Sequence, residues 1–157
     1  MKNEELAYFA GYFDGEGSIG IYKHKSKSCK RGYTFELLCQ ISSTEHEVIW
    51  LFREKFGGSF RSFKHKETKK KRIWMCQICS RQALKFLQRI YPFLKLKKAI
   101  AQLAIEFQSK KKWGQNLTDE EYQYQEMMRE KISFLNKKRP KDLREIWGEK
   151  LIQEMPK

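Results

Sequence analysis

The sequence predicts an α+β fold, in which antiparallel hairpins alternate with helices in the order αββαββα and further helices follow. Runs rich in Ile, Phe, Tyr and Trp come in two pairs, each joined by a short basic, polar turn, as in β-hairpins. Stretches of helical length and periodicity stand before, between and after the pairs. No strand is followed by a crossover helix and a parallel neighbour, so an antiparallel four-stranded sheet is expected.

The first helix has the clearest boundaries. Asn3 is a capping residue, and Glu4 and Glu5 place negative charge beside the positive end of the helix dipole. We predict a helix over about Glu4–Phe13 that ends where glycines interrupt Asp14–Gly17. The other predicted strands and helices run over about Ser18–Lys27, Tyr33–Ser42, Thr44 to before Gly57, Ser59–Lys66, Arg72–Cys79, Ser80–Tyr91, Lys97–Ser109, Asp119–Leu135 and Asp142–Glu154.

The 157 residues suit one compact domain over residues 1–157, with its core at about 4–109 and C-terminal helices at about 117–154. Hydrophobic residues make up 40% of the chain, which argues against disorder. No run approaches the roughly 18 apolar residues of a membrane span. No targeting signal is recognised, so the protein is expected to act where it is made, in an organelle or the prokaryotic cytoplasm.

Charge gives the first indication of function. Lys and Arg total 33 against 19 Asp and Glu, a formal net charge of +14. Such a chain favours a polyanionic partner, and nucleic acid is the common one. A basic protein without a specific partner is the alternative.

The spacing of Cys76 and Cys79 is that of zinc ligands, but the segment reads as a strand. Residues three apart on a strand point to opposite faces, and no further ligand pair completes a tetrahedral site. Reduced thiols are therefore expected rather than zinc or a disulfide.

The segment 6–17 carries the most information. Two glycines four residues apart, Gly11 and Gly15, lie on one helical stripe with Tyr8 and let another backbone approach closely. Asp14 and Glu16 follow at the end of the helix, where carboxylate and carbonyl oxygens suit Mg²⁺. The alternative is an ordinary amphipathic helix that ends in an acidic turn.

Residues 9–17, FAGYFDGEG, resemble the motif of LAGLIDADG homing endonucleases. Ser18–Ile21 fits the family's first strand, Pro92–Lys97 resembles its second recurring block, and Ile132–Lys138 resembles its C-terminal helix ending more weakly. The order of elements agrees over about residues 4–109.

The resemblance implies roles for particular residues. Glu16 corresponds to the metal-binding carboxylate and Gly15 to the backbone ligand, whereas Asp14 corresponds to an acid that is more often structural. Lys97 corresponds to the basic residue near the scissile phosphate, and Gln40 to a polar position near the cleavage centre. Glu16, Lys97 and Gln40 are thus the expected catalytic residues, with Mg²⁺ as the cofactor, Mn²⁺ as a substitute and Ca²⁺ supporting binding.

Two positions depart from the family pattern. Ser43 stands where close relatives place a glutamine that holds the catalytic water, and Glu47 stands near a family arginine. These departures are expected to affect the rate of cleavage and the preference for a particular metal ion.

Because the chain has one motif and a duplex has two strands, a two-fold homodimer is expected. The resemblance implies hydrolysis with a staggered cut, and pairing of the first helix would bring two Glu16 side chains to the dyad. The predicted interface residues are Tyr8, Gly11, Tyr12 and Gly15.

The sheet is expected to follow the major groove of double-stranded DNA. Period-2 alternation selects one face, on which Leu38 suits a thymine methyl group. The register of the third strand is ambiguous between Arg61 and Lys64. The lysines in and beside the turns suit phosphates rather than bases; they are Lys23, Lys25, Lys27, Lys30, Lys69–Lys71 and Lys110–Lys112. The predicted DNA-contacting residues are Tyr22, His24, Ser26, Thr34, Glu36, Leu38, Gln40, Arg61, Lys64, Arg72 and Trp74.

Three alternative functions remain at this stage. A regulator could keep the fold and bind DNA without cleaving it. A maturase would bind the host intron RNA. A basic structural protein would bind nucleic acid without sequence preference.

Overall fold

The computed structural model describes residues 1–64, 71–111 and 117–137. A short 3-10 helix, Tyr91–Phe93, precedes the fourth helix. In chain order the other elements are α1 (Asn3–Glu16), β1 (Gly17–Lys25), β2 (Tyr33–Ser43), α2 (His46–Phe56), β3 (Ser59–Lys64), β4 (Arg72–Cys79), α3 (Ser80–Ile90), α4 (Lys98–Lys110) and α5 (Asp119–Lys137). The predicted α+β class and element order are confirmed.

The four strands form one antiparallel sheet in the order β1-β2-β4-β3. Along β2, buried residues alternate with partly exposed ones from Phe35 to Ile41, which is the pattern of a sheet covered on one face. The covered face packs against helices, and the face that carries Gln40 is called the open face below. Ile19 pairs with Cys39 and Ile41 with Cys76, so the register fixes which residues share a face.

Aromatic rings fill the space between α1, α2 and α3. The ring of Phe9 lies 4.8 Å from that of Phe52 and 5.2 Å from that of Phe56. The rings of Phe13 and Phe86 lie 5.0 Å apart at 82°. Such edge-to-face pairs add to the roughly 1.5–3 kcal/mol that burial of each Phe contributes. This core fixes the position of α1 and of the acidic residues at its end.

The fifth helix packs beside β1. Met128 and Ile132 are buried, and the Tyr122 ring meets that of Phe35 at 5.4 Å. The Asn136 amide donates to the carbonyl oxygen of Ile19 at 2.8 Å. No helix in the described parts of the chain is both long enough and apolar enough to span a membrane.

The first helix differs from its predicted bounds at both ends. Lys2, not Asn3, is the N-cap residue, and no side chain caps the helix. At the other end the backbone N–H of Gly17 donates to the carbonyl oxygen of Phe13. This bond closes the last turn, so the helix continues through Asp14–Glu16 instead of ending at Phe13. The predicted extension of β3 to Lys66 and the helix Asp142–Glu154 lie outside the described residues.

Candidate catalytic and DNA-binding site

The carboxylate of Asp14 ties the end of α1 to the segment before α4. Only 7% exposed, it accepts hydrogen bonds from three successive backbone N–H groups, those of Lys95 at 2.6 Å, Leu96 at 3.1 Å and Lys97 at 2.9 Å. Bonds of this kind offset the cost of burying a carboxylate. They form a clamp that sets the position of Lys97.

The ammonium group of Lys97 donates to the backbone carbonyl oxygen of Asp14. The carbonyl ends of a helix carry partial negative charge, so a cation is stabilised there. Glu16 lies two residues farther along the same helix. The Asp14 clamp thus brings two of the three predicted catalytic residues to one end of α1.

Glu16 is the last residue of α1, and both it and Gly15 are exposed. Among the described residues, no hydrogen-bond or ion-pair partner engages the Glu16 carboxylate. Carboxylate and backbone carbonyl oxygens are hard donors, and they fit Mg²⁺ or Ca²⁺ rather than a softer ion. In the described parts of the chain, no three His, Cys, Asp or Glu side chains cluster tightly enough to hold a metal.

Gly17 explains how α1 passes into β1 without a loop. A Cβ atom at this position would lie 2.3 Å from the Phe13 ring and 2.6 Å from the Phe13 carbonyl oxygen. Only glycine therefore allows the strand to start directly after Glu16. This junction places Glu16 at the edge of the sheet, next to the start of β1.

Gln40 lies on the open face of the sheet. It pairs with Ser18 of β1 on one side and with Gln77 of β4 on the other. The Gln77 amide donates to Gln40 Oε1 at 2.8 Å. Gln40 is therefore held in place by the neighbouring strand, two strands away from the edge formed by β3.

Ser43, at the position of the missing family glutamine, has a local role. Its Oγ accepts a hydrogen bond from the Tyr12 hydroxyl at 2.9 Å and one from the backbone N–H of Glu45 at 3.1 Å. These bonds connect α1, the end of β2 and the start of α2. Glu47 is exposed in the first turn of α2.

The open face contains most of the predicted DNA-contacting residues. By register these are Tyr22, His24, Thr34, Glu36, Leu38, Gln40 and Arg61. Within this set Glu36 is engaged, because it accepts a hydrogen bond from the Ser80 hydroxyl at 3.0 Å and lies 3.6 Å from the His24 ring. The open face also carries residues that sequence reasoning missed: Ser18, Ser42, Ser59, Phe63, Ile73, Met75 and Gln77.

The placement of Arg72 and Trp74 on this face is wrong. Trp74 packs on the helical side, where its ring lies 4.5 Å from that of His46 and stacks on Phe60 at 5.5 Å. The Arg72 guanidinium donates to Ser62 on the same side. In β4, polar residues occur at both odd and even positions, so alternation alone does not show which side faces the open surface. The pairing of β4 with β2 decides it.

The ambiguity in β3 is resolved by its pairing with β4. Arg61 pairs with Met75 on the open face, so of the two candidates Arg61 is the one on that face, and Lys64 falls on the opposite face. Ser26 lies beyond the end of β1, in a turn closed by its own backbone N–H to Gly32. It keeps the parity of the open face without belonging to the strand.

Three of the lysines assigned to phosphates are engaged within the chain. Lys23 forms an ion pair with Glu126 at 2.6 Å, which raises the pKa of Lys23. Lys110 pairs with Glu106 at 2.8 Å. Lys111 donates to the Phe35 carbonyl, and burial lowers its pKa. Lys69, Lys70 and Lys112 lie outside the described residues.

The predicted interface residues of α1 form an exposed stripe. Tyr8 is 53% exposed, and Gly11 and Gly15 are exposed as well. A Cβ atom built at either glycine would have no neighbour within 4 Å among the described residues, so their packing gives no reason for glycine there. Tyr12 differs, since it is half-buried and bonded to Ser43.

The two cysteines of the C-x-x-C spacing lie on opposite faces of β4, as strand alternation predicted. Cys76 is fully buried on the helical side and its thiol donates to the Gly57 carbonyl at 3.5 Å. Burial raises the pKa of the Cys76 thiol to about 11. Cys79 pairs with Leu38 on the open face.

The sequence profile described as LAGLIDADG endonuclease matches residues 9–114, which include α1 from Phe9 onward, the whole sheet and the Asp14 clamp. The chain belongs to this family. The match confirms the resemblance found at residues 9–17 and places it in the expected fold. No curated protein matches the sequence significantly.

Solved structures of the family share the fold at low sequence identity. The homing endonuclease I-CvuI, in complex with the I-CreI target, superposes with a TM-score of 0.69 at 17% identity, covering 88% of this chain and 86% of that one. The archaeal intron-encoded endonuclease I-Vdi141I, complexed with DNA, gives 0.68 at 14% identity, with 86% of each chain covered. I-TnaI gives 0.62 at 17% identity, covering 84% of this chain and 95% of that one.

Proposed function

We propose that the protein is a site-specific endonuclease that cuts both strands of a long, roughly two-fold symmetric DNA target. The observation that carries this proposal is the Asp14 clamp. The clamp holds the cation Lys97 at the end of α1. Glu16, an exposed carboxylate at the edge of the open face, lies at the same helix end. A carboxylate and a cation so placed suit phosphodiester hydrolysis, in which a metal-held water attacks and negative charge develops.

The second part of the proposal is a homodimer formed through α1. Each glycine in an exposed helix costs about 1 kcal/mol relative to alanine, and nothing in the described parts of the chain requires Gly11 or Gly15. A second α1 packed on this stripe gives the glycines a function, since backbones can then approach closely. Leu96, 55% exposed and bonded through its N–H to Asp14, adds apolar surface near the same end of α1.

Chain length supports the same assembly. The meganuclease I-SmaMI, bound to uncleavable DNA, matches with a TM-score of 0.63 at 16% identity, and this chain covers 46% of it. Two copies of the present fold therefore have about the length of one such chain. A two-fold axis through α1 places one Glu16 from each copy at the centre of the target, one for each DNA strand.

Each residue has a defined part in the reaction. Glu16 and the Gly15 carbonyl would hold a divalent cation, which when bound supplies Lewis-acid stabilisation and a water of lowered pKa. Lys97 faces the phosphate on which negative charge accumulates, and Asp14 keeps Lys97 in position. Gln40 lies on the open face beside the start of β1, where it would contact the DNA next to the cut. A staggered cut follows from scissile phosphates on either side of one dyad.

Incubation of purified protein with supercoiled plasmid that carries the native insertion site tests the function. In Mg²⁺ or Mn²⁺ we expect linear product with staggered ends, whereas EDTA stops cleavage and Ca²⁺ supports binding alone. Glu16→Gln should abolish cleavage and retain binding. Glu4→Gln, a matched exposed position on the same helix, is the control and should cut normally.

Two outcomes would contradict the proposal. Tight, sequence-specific binding without cleavage in any divalent metal would indicate a DNA-binding regulator. Cleavage that is unchanged in Glu16→Gln would remove Glu16 from the active site.

A further inference from the structure

The open face changes in chemical character along its strands. At the end next to Glu16, the register aligns Phe63 with Ile73 and Arg61 with Met75. At the opposite end Tyr22 pairs with Glu36 and His24 with Thr34. Glu16 directly precedes β1, so the first group, on β3 and β4, lies toward the same end of the sheet as Glu16. In a duplex laid along the open face, this group would face base pairs near the cut and the second group would face outer base pairs.

The end near the cut carries an apolar patch formed by Phe63 and Ile73, whereas Met75, on the same face, is buried. The Phe63 side chain is 41% exposed, and Ile73 is partly exposed, although both lie on the face that would meet a polar duplex. The major groove offers one apolar group, the C5 methyl of thymine. The patch therefore matches thymine and gains nothing from guanine or cytosine edges. Arg61, between these residues, suits one guanine within the same segment.

Next to the apolar patch lies the amide pair, formed by Gln40 and Gln77. Gln77 Nε2 donates to Gln40 Oε1 at 2.8 Å, which leaves Gln40 with both N–H groups and Gln77 with its carbonyl oxygen and one N–H. If Gln40 donates instead, the two roles are exchanged. An adenine edge presents an acceptor at N7 and a donor at N6, so it can use an N–H of one amide and the carbonyl oxygen of the other together, whereas guanine presents two acceptors and leaves that carbonyl oxygen unpaired.

The amide pair is also held in advance of binding. Ser18 and Ser59 flank it in one row across all four strands, Ser59–Gln77–Gln40–Ser18. Side chains already ordered by a mutual bond lose less conformational entropy when they meet a base. The pair should therefore discriminate more sharply than a single glutamine.

We propose that this chain selects half-sites in which the base pairs between the cut and the Gln40–Gln77 row are predominantly A·T. Thymine methyl groups lie against Phe63 and Ile73, and one adenine is read by the amide pair. This inference rests on the proposed DNA-cutting function and assigns Phe63, Ile73 and Gln77 as residues that determine target sequence.

The first test is a binding selection from duplexes with randomised half-sites, carried out in Ca²⁺ with the full-length protein. We expect enrichment of A·T pairs in the inner segment of the selected site. In Gln77→Glu, the new carboxylate accepts from cytosine N4, so the selected adenine should change to cytosine. His24→Gln, at the other end of the same face, is the matched control and should alter outer positions alone.

The second test removes single methyl groups from DNA. Replacing inner thymines of the selected site by deoxyuridine leaves every hydrogen bond intact, and we expect affinity to fall about three- to fivefold per methyl. The variant Phe63→Ser should be insensitive to the substitution at its own base pair. Thermal unfolding of each variant verifies that the exposed substitution leaves the fold intact.

The outcomes separate this inference from the proposed function. A selected site whose inner segment is predominantly G·C, or full affinity for the deoxyuridine duplex, would overturn the inference while leaving sequence-specific cleavage standing. Failure to enrich any sequence would overturn both. Enrichment of inner A·T pairs together with the methyl effect would establish the assignment.

Discussion

The Asp14 clamp gives the most quantitative prediction. Asp14→Asn keeps the shape of the side chain but removes its charge and replaces one acceptor oxygen by an NH₂ group. In the native protein three backbone N–H groups bond to this carboxylate at 2.6–3.1 Å. Hydrogen bonds to a charged group contribute about 1.5–3 kcal/mol each, and an amide retains at most part of this set. We expect the free energy of unfolding to fall by about 2–4 kcal/mol.

Urea unfolding followed by tryptophan fluorescence measures this loss, at one fixed protein concentration because the dimer couples to folding. For a chain of this size it corresponds to a melting temperature lowered by roughly 5–15 °C. Glu16→Gln is the control, because that side chain is exposed and its replacement should change stability by less than about 0.5 kcal/mol. Unchanged stability in Asp14→Asn would refute the assignment of the clamp.

Four further results are expected. Lys97→Met should reduce cleavage about 100-fold with little change in binding, because the ammonium group acts on charge that develops during reaction. Lys95→Met is its control and should cut normally, because Lys95 takes part in the clamp only through its backbone N–H. Gly11→Leu should leave the chain folded, since no atom of another described residue lies within 4 Å of its Cβ position, but sedimentation should show monomers; Gln88→Leu, exposed on α3, serves as control. Cys76 should resist alkylation at pH 8 in native protein, as read by mass spectrometry, because it is buried with a pKa of about 11; rapid labelling would contradict the packing of β4. Since the same thiol ionises near pH 9 when unfolded, stability should be complete below pH 9 and decline toward pH 11, a decline that Cys76→Ser should reduce.

Local patterns in the sequence predicted the elements well because each pattern has a local physical cause. Paired strand-like runs and the helical stretches between them gave the order αββαββα, which the structure confirms. The end of α1 was the exception. Asp14–Gly17 was expected to break the helix, yet Asp14 is held by residues more than 80 positions away and Gly17 is required by contact with Phe13. Neither constraint is visible in a local window.

In the candidate site, too, local patterns were predicted and contacts between distant segments were not. Glu16 and Lys97 were identified from motifs, and their connection through Asp14 required the structure. The faces of β1 and β2 followed from alternation because buried residues there recur at every second position. In β4 they do not, so Arg72 and Trp74 were assigned to the wrong face and Gln77 was missed. A mutual bond between Gln40 and Gln77 depends on strand pairing, which no single segment encodes.

The stoichiometry of the complex between protein and DNA tests the central claim most directly. Glu16→Gln protein, bound to a duplex carrying the selected site, can be weighed intact by native mass spectrometry. Contact between two α1 helices across a symmetry axis predicts two chains per duplex, even when the free protein is dilute. A complex containing one chain would contradict an active centre built from two copies of Glu16.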